Sequence, residues 1–294
     1  MELLSDIKSI NTLRLLSVDM IENAKSGHPG MPLGCAAILF VLFKKFLKFN
    51  PEDPDWFNRD RFILSNGHGC ALLYSILHLC GYKVSLKDLK SFRQLGSITP
   101  GHPEKNHTPG IEVTTGPLGQ GFANGVGMAI ASKHLAERFN KLNFNIINNK
   151  IYVMCGDGCL MEGITNESAS LAGHLNLNNL IVLYDDNSIT IDGSTDLAFT
   201  EDTKKKYEAL GWNVFVVEKA DSDLIEIENV ISKANISTKP TLIMFKTRIG
   251  FGSDKEGSEK SHGAPLGVDS VKNLKRNFSF NEDEHFVVPN DIKT

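Results

Sequence analysis

Residues 151–193 read IYVMCGDGCLMEGITNESASLAGHLNLNNLIVLYDDNSITIDG. Ile151 to Cys155 is a short apolar run of the kind that forms a buried strand. Gly156-Asp157-Gly158 follows as a turn, a helical stretch is predicted from about Leu160 to Leu175, and a second apolar run covers Leu180 to Tyr184. Together these make one βαβ unit. Each strand ends in groups fit to ligate a metal: Asp157 after the first, Asp186-Asn187 after the second. In a parallel sheet, ligands bind in the crevice outside the carboxyl ends of the strands, so the two ends can converge on one cation. This places the chain among doubly wound α/β proteins with a mostly parallel sheet and helices on both faces.

A carboxylate and a carboxamide, with no Cys-His cluster nearby, suit a hard ion such as Mg²⁺ or Ca²⁺. Mg²⁺ takes few protein ligands and completes its octahedron with water and phosphate oxygens. Gly156 and Gly158 would let the backbone approach such a phosphate with no Cβ in the way. GDG by itself is equally a plain strand-to-helix turn. The pattern that carries information is GDG, then residues 159–185, then Asp186-Asn187.

That pattern resembles the thiamine-diphosphate-binding motif, with Asp186 standing where the family has the first of two Asn. The resemblance implies Mg²⁺ held by Asp157, Asn187 and the backbone carbonyl of Ile189, with the cation in turn holding the cofactor's diphosphate. Gly156 and Gly158 would flank that diphosphate.

Composition sets the wider bounds. The chain has 294 residues, 41% hydrophobic and 22% charged, ordinary values for a globular protein with a large core. A formal net charge of −4 gives no footprint for nucleic acid. Five cysteines (35, 70, 80, 155 and 159) sit mostly in apolar runs and form no CxxC pair, which predicts reduced core residues of a cytoplasmic protein. The N-terminal MELLSDIKSI carries charges among its apolar residues, unlike a secretory signal. The most apolar stretch, Met31 to Phe43, stops at Lys44-Lys45, short of the roughly 18 residues that span a bilayer; no membrane partner is expected.

Upstream of the βαβ unit, apolar residues recur at helical spacing over 7–24 and give way to Ser26-Gly27-His28-Pro29-Gly30, which no helix can continue through. A new helix is predicted from about Pro32. A strand over 62–65 leads into Asn66-Gly67-His68-Gly69 and a helix over 70–79. Residues 98–121, ITPGHPEKNHTPGIEVTTGPLGQG, form a long Gly/Pro-rich loop of the kind that is usually functional or disordered. A helix over 120–140 follows, and its Gly121, Gly125 and Gly127 predict close packing on a neighbour. Downstream, a helix over 201–211, a strand over 214–217, a helix over 221–234 and a strand over 242–246 precede KTRIGFG and SHGAPLG. Residues 268–294 are expected to start as a short helix and end as a polar tail of the same domain.

Several of these stretches are similar to transketolase segments: SGHPGMPLG, NGHG, GHPE, TTGPLGQG, the GDG motif and SHGAPLG, in that order. The resemblance implies that His28 and His262 contact the substrate and the reactive end of the cofactor. It puts His102 with them in catalysis, and His68, Gly116, Pro117, Leu118 and His262 beside thiamine diphosphate. Of nine histidines, His28, His68, His102 and His262 lie in Gly/Pro-framed loops at expected element ends, whereas His78 and His134 lie in helical stretches and His285 in the tail. Imidazole titrates near neutrality and both donates and accepts, so it suits the proton transfers of ketol transfer.

The resemblance covers nearly the whole chain but only the first domain of a transketolase. It therefore implies half an active site: the Mg²⁺-diphosphate half, with residues 1–294 as one domain. The other half, a pyrimidine-binding domain or subunit with its activating Glu, would be the partner. Ketose and aldose phosphates of the pentose phosphate route would be the substrates, an oligomer is expected, and the chain alone would be inactive. Both a natural N-terminal subunit and a piece of a longer enzyme fit this picture. A 2-oxo acid dehydrogenase subunit would share GDG and Asn but not the four His motifs together. A cofactor-binding regulatory module without turnover is the reading from another class.

Overall fold

Both faces of the strand Ile151–Gly156 (β2) are buried, as its unbroken apolar sequence demands. The computed structural model describes residues 2–292. In it β2 lies between Arg61–Leu64 (β1) and Leu180–Asp186 (β3), and Thr241–Lys246 (β7) and Asn213–Val217 (β6) complete a five-stranded sheet in the order β1-β2-β3-β7-β6. Every pairing in it is parallel. The register sets Val153 beside Ile63 and Val182, and Cys155 beside Tyr184.

Alternate residues of each strand feed two separate cores. Tyr152, Met154, Ile181, Leu183, Ile243 and Phe245 pack under the helices Glu2–Ala24 (α1), Gly30–Lys45 (α2), Cys70–Leu79 (α3) and Leu224–Asn235 (α9). Ile151, Val153, Cys155, Val182, Tyr184 and Leu242 pack under Gln120–Phe139 (α5), Gly163–His174 (α7) and Thr203–Ala209 (α8). The doubly wound expectation holds, helices on both faces included. A third, smaller cluster seats Val268–Asn277 (α10) against Leu15, Val18 and Leu33.

All but one of the expected elements form, most with ends shifted by up to three residues, and α1 begins five residues earlier than expected. One predicted helix does not hold together: the stretch expected over 160–175 is two helices, Asp157–Met161 (α6) and α7, broken at Glu162. Thr165 Oγ1 donates to the carbonyl of Cys159 at 2.6 Å, taking the acceptor a continuous helix would give to residue 163. Two elements were not expected: the short helix Leu86–Lys90 (α4), capped by Ser85 and Asp88, and a hairpin of Ile189–Thr190 (β4) with Gly193–Ser194 (β5). Residues 278–292 hold no helix or strand, yet they are not a free tail. Phe286 and Val288 pack on the α1 side of the sheet, and the Phe286 amide donates to buried Asp19 at 2.6 Å. The last two residues of the expected tail lie outside the described residues.

Candidate active site at the strand ends

The carboxyl ends of β1, β2, β3 and β7 open on one cavity of about 300 Å³. Its floor is the β2–α6 turn. Gly156 ends the strand in extended backbone and Asp157 starts α6, so the carboxylate is carried into the crevice and is only 5% exposed. Tyr184, one strand over on β3, donates its hydroxyl to Asp157 Oδ1. Asp157 Oδ2 is buried with no hydrogen-bond partner. Burial, reinforced by nearby Asp185 and Asp186 and opposed by the Tyr184 hydroxyl, pushes the Asp157 carboxyl up to about 7.

At the end of β3 the chain places Asp185, Asn187 and Ile189 in the wall. Asn187 is oriented by two bonds: its Nδ2 donates to Asp185 Oδ2 at 3.0 Å and its Oδ1 accepts the Ile189 amide at 2.9 Å. Asp185, at 2% exposure, also accepts from Thr247 Oγ1 at 2.5 Å. Burial pushes its carboxyl up to about 6 against those hydrogen bonds. Asp186 turns away to pair with Lys246 at 2.5 Å and is not part of the wall. Of the two adjacent carboxylates it is thus Asp185 that faces the cavity. The strand's alternation, with Asp185 sharing Leu183's side, is the signal that would have found it.

The opposite wall comes from the long loop. Gly116 and Leu118 line the cavity, and a Cβ on Gly158 would sit 2.8 Å from Leu118 Cδ1, so this glycine is what lets the loop close on the turn. Pro117 lies between two lining residues without being one itself.

The fourth side is imidazole. His28 stands between α1 and α2, His68 in a 3₁₀ turn after β1, His102 in the long loop and His262 after the 3₁₀ turn Glu259–Ser261. All four line the cavity. Ring centroids are 5.1 Å apart for His28 and His68, 5.2 Å for His68 and His262, and 5.9 Å for His28 and His262. Burial drives all four below the ordinary imidazole range, most strongly His68; His28 falls to about 4, with Arg93, His262 and His102 adding to the effect. The cluster is therefore neutral at physiological pH. Arg93, which reaches His28, was not singled out from sequence: it stands in no Gly-framed motif.

The cavity thus has an oxygen-rich floor and a neutral imidazole wall. Among the described residues no cluster of three or more His, Cys, Asp or Glu is spaced to hold a metal; the acidic and amide side chains that line the cavity are Asp157, Asp185, Asn66 and Asn187. The family model described as transketolase, thiamine diphosphate binding domain, matches residues 5–294. The chain belongs to that family.

Within the transketolase family it is 56% identical over 288 residues to transketolase 1 of Saccharomyces cerevisiae, covering 98% of this chain and 42% of that protein. The transketolase of Bacillus subtilis is 53% identical over 97% of this chain and 43% of its own length. A crystal structure of Pichia stipitis transketolase in complex with sedoheptulose-7-phosphate superposes with a TM-score of 0.97 at 54% identity, covering 98% of this chain and 43% of that one. The chain therefore spans less than half the length of the transketolases it matches. No helix among the described residues is long and apolar enough to cross a membrane.

Proposed function

We propose that this chain is the diphosphate-and-metal half of a transketolase, acting with a pyrimidine-binding domain or subunit to move a two-carbon ketol unit from a ketose phosphate to an aldose phosphate. The observation that carries the reading is Asp157 Oδ2: a buried carboxylate oxygen with no protein partner, on the floor of a cavity at the strand ends. An uncompensated buried acceptor is unfavourable unless something binds it. Asp185 and Asp186 add negative charge around it, and among the described residues the one cation bonded to this group, Lys246, is on Asp186. A hard divalent cation fits this oxygen set. We assign Mg²⁺ to Asp157, Asn187 and the Ile189 carbonyl, with the diphosphate lying along Gly156, Gly158, Gly116, Pro117 and Leu118.

Thiamine diphosphate, when bound, would supply the nucleophilic carbon and the electron sink of ketol transfer. The chain's own contribution is positioning. Tyr184 and Asp185 orient Asp157 and Asn187, as supporting partners orient metal ligands elsewhere. His68 and His102 flank the cofactor side, and His28 and His262 face the substrate's carbonyl and hydroxyls. Neutral imidazoles can donate hydrogen bonds to a developing oxyanion without placing a second positive charge near the cofactor. The free cysteines, all half-buried or buried, suit a reducing compartment, and we place the protein in the cytoplasm on the pentose phosphate route.

The test is calorimetry with thiamine diphosphate and Mg²⁺ on the wild-type chain and on Asp157→Ala and Asn187→Ala. Binding is expected in the wild type and lost in both variants, while thermal unfolding shows them still folded. Equal affinity in all three overturns the metal assignment.

A further inference from the structure

His28 is gripped at one nitrogen. Arg93, in the turn that follows α4, sends Nη1 to Ser26 Oγ at 2.7 Å and Nη2 to His28 Nδ1 at 3.3 Å, with Gly101 O a further acceptor at 3.4 Å. Its backbone is in the left-handed region (φ +60°), fixed by the Arg93 amide donating to Thr99 O at 3.0 Å. Gly101 lies against the guanidinium, where a Cβ would stand 3.2 Å from Nε. One side chain thus ties together two of the histidine loops, those of residues 26–30 and 101–104.

A guanidinium has donors and no acceptor. At this contact Nδ1 must therefore offer its lone pair, and in a neutral imidazole the proton is then on Nε2. Nε2 makes no hydrogen bond to any described residue; Gly263 lies along that edge, where a Cβ would come to 3.6 Å, and the ring lines the cavity. We propose that Arg93 is a positioning residue that fixes the Nε2–H tautomer of His28, so that His28 serves as a hydrogen-bond donor to a substrate oxygen and not as the base that removes a proton. The donor role toward substrate rests on the transketolase reading; the tautomer does not.

The surroundings of His28 support it. The groups facing the ring are Arg93, His68, His102 and His262, and none is a carboxylate. Nothing there would stabilise an imidazolium, and the Arg93 charge opposes one. A ring that stays neutral and already uses its lone pair has no free acceptor to offer a substrate hydroxyl.

The test is long-range ¹H–¹⁵N correlation on the ¹⁵N-histidine-labelled chain, with the His28 signals assigned by their absence in His28→Gln. Expected for the wild type is an unprotonated Nδ1 and a protonated Nε2 from pH 8 to 5.5. In Arg93→Met both tautomers should appear and the His28 pKa should rise by roughly one pH unit as the like charge is removed. Arg93→Lys, which keeps the charge without the planar fork, should hold the pKa low while tautomer selection weakens. A wild-type His28 protonated on Nδ1 overturns the proposal, and so does a Met or Lys variant with the wild-type spectrum. Should Arg93→Met fail to fold, the wild-type and Lys spectra decide alone. Because no cofactor is present, these spectra are independent of the calorimetric test: failed metal binding with the expected tautomer would sink only the functional reading.

Discussion

His28, His68, His102 and His262 share a neutral wall, and burial of that wall ties stability to pH. The sign follows from proton counting. Each folded-state pKa lies below the ordinary value of about 6.5, so below that pH the unfolded chain takes up protons that the folded chain refuses. Stability from this cluster is complete above about pH 6.5 and is lost as pH falls; for His28 the loss runs down to about 4. His28 retains some solvent access, which moderates the size of the effect. Thermal midpoints at pH 7.5 and pH 5 should therefore differ less in His28→Gln than in the wild type, and an unchanged difference would remove His28 from the account. The same residues show what sequence can reveal. A histidine framed by Gly and Pro at a strand or helix end announces itself, because the frame dictates the backbone and the end dictates the location. Arg93 and Asp185 do not. Arg93 acts across a gap of 65 residues to His28, and Asp185 differs from Asp186 only in which way the strand turns it.

At the scale of elements, α5 separates two kinds of glycine that the sequence presents alike. Close packing was expected at Gly121, Gly125 and Gly127. A Cβ at Gly121 would lie 2.7 Å from the Ser65 backbone, and one at Gly125 would lie 2.3 Å from Val153 Cγ2 on β2. At Gly127 nothing lies within 4 Å, because that position is on the helix's outer face. Substitution by Ala should thus act in opposite directions. Gly125→Ala drives a methyl into the sheet and should destabilise by about 1–3 kcal/mol, the usual range for overpacking. Gly127→Ala relieves a mid-helix glycine and should stabilise by up to about 1 kcal/mol. Urea unfolding of both variants checks this, and loss of stability at Gly127 would mean its outer face is not free. A helical period identifies α5 but not which glycine touches a neighbour, since contact depends on where β1 and β2 run beneath it. The break at Glu162 is equally local and equally hidden: it depends on one threonine hydroxyl taking one carbonyl.

The whole molecule extends these limits. The mostly parallel sheet and its two helix layers follow from alternating apolar strands and helices, because a sheet buried on both faces leaves few arrangements; the strand order β1-β2-β3-β7-β6 was not read from the sequence. The return of residues 278–292 over α1 was not legible, since it depends on Lys275, buried in α10, meeting Asp19 at 2.9 Å from the far end of the chain. What the fold leaves uncovered decides the last prediction. Leu135 and Phe139 on α5, Leu171 and Leu175 in and after α7, and Phe144 between α5 and β2 are exposed, as are Glu162 and Glu167. The inner faces of α5 and α7 pack on the sheet, so this outer surface is surplus to the domain's own core. In the proposed function it belongs to the partner that brings the pyrimidine-binding half and the activating Glu. An obligate interface of that kind buries more than about 2,000 Å² and is rich in apolar groups. The chain alone should therefore self-associate and show no ketol transfer, since in the proposed function the residues on its side of the cavity would bind and orient the cofactor and the partner would activate it. Mixing it with the remainder of a transketolase should restore turnover while sedimentation shows the two co-migrating. Ketol transfer by the purified chain, monomeric at every concentration, would overturn the half-site reading.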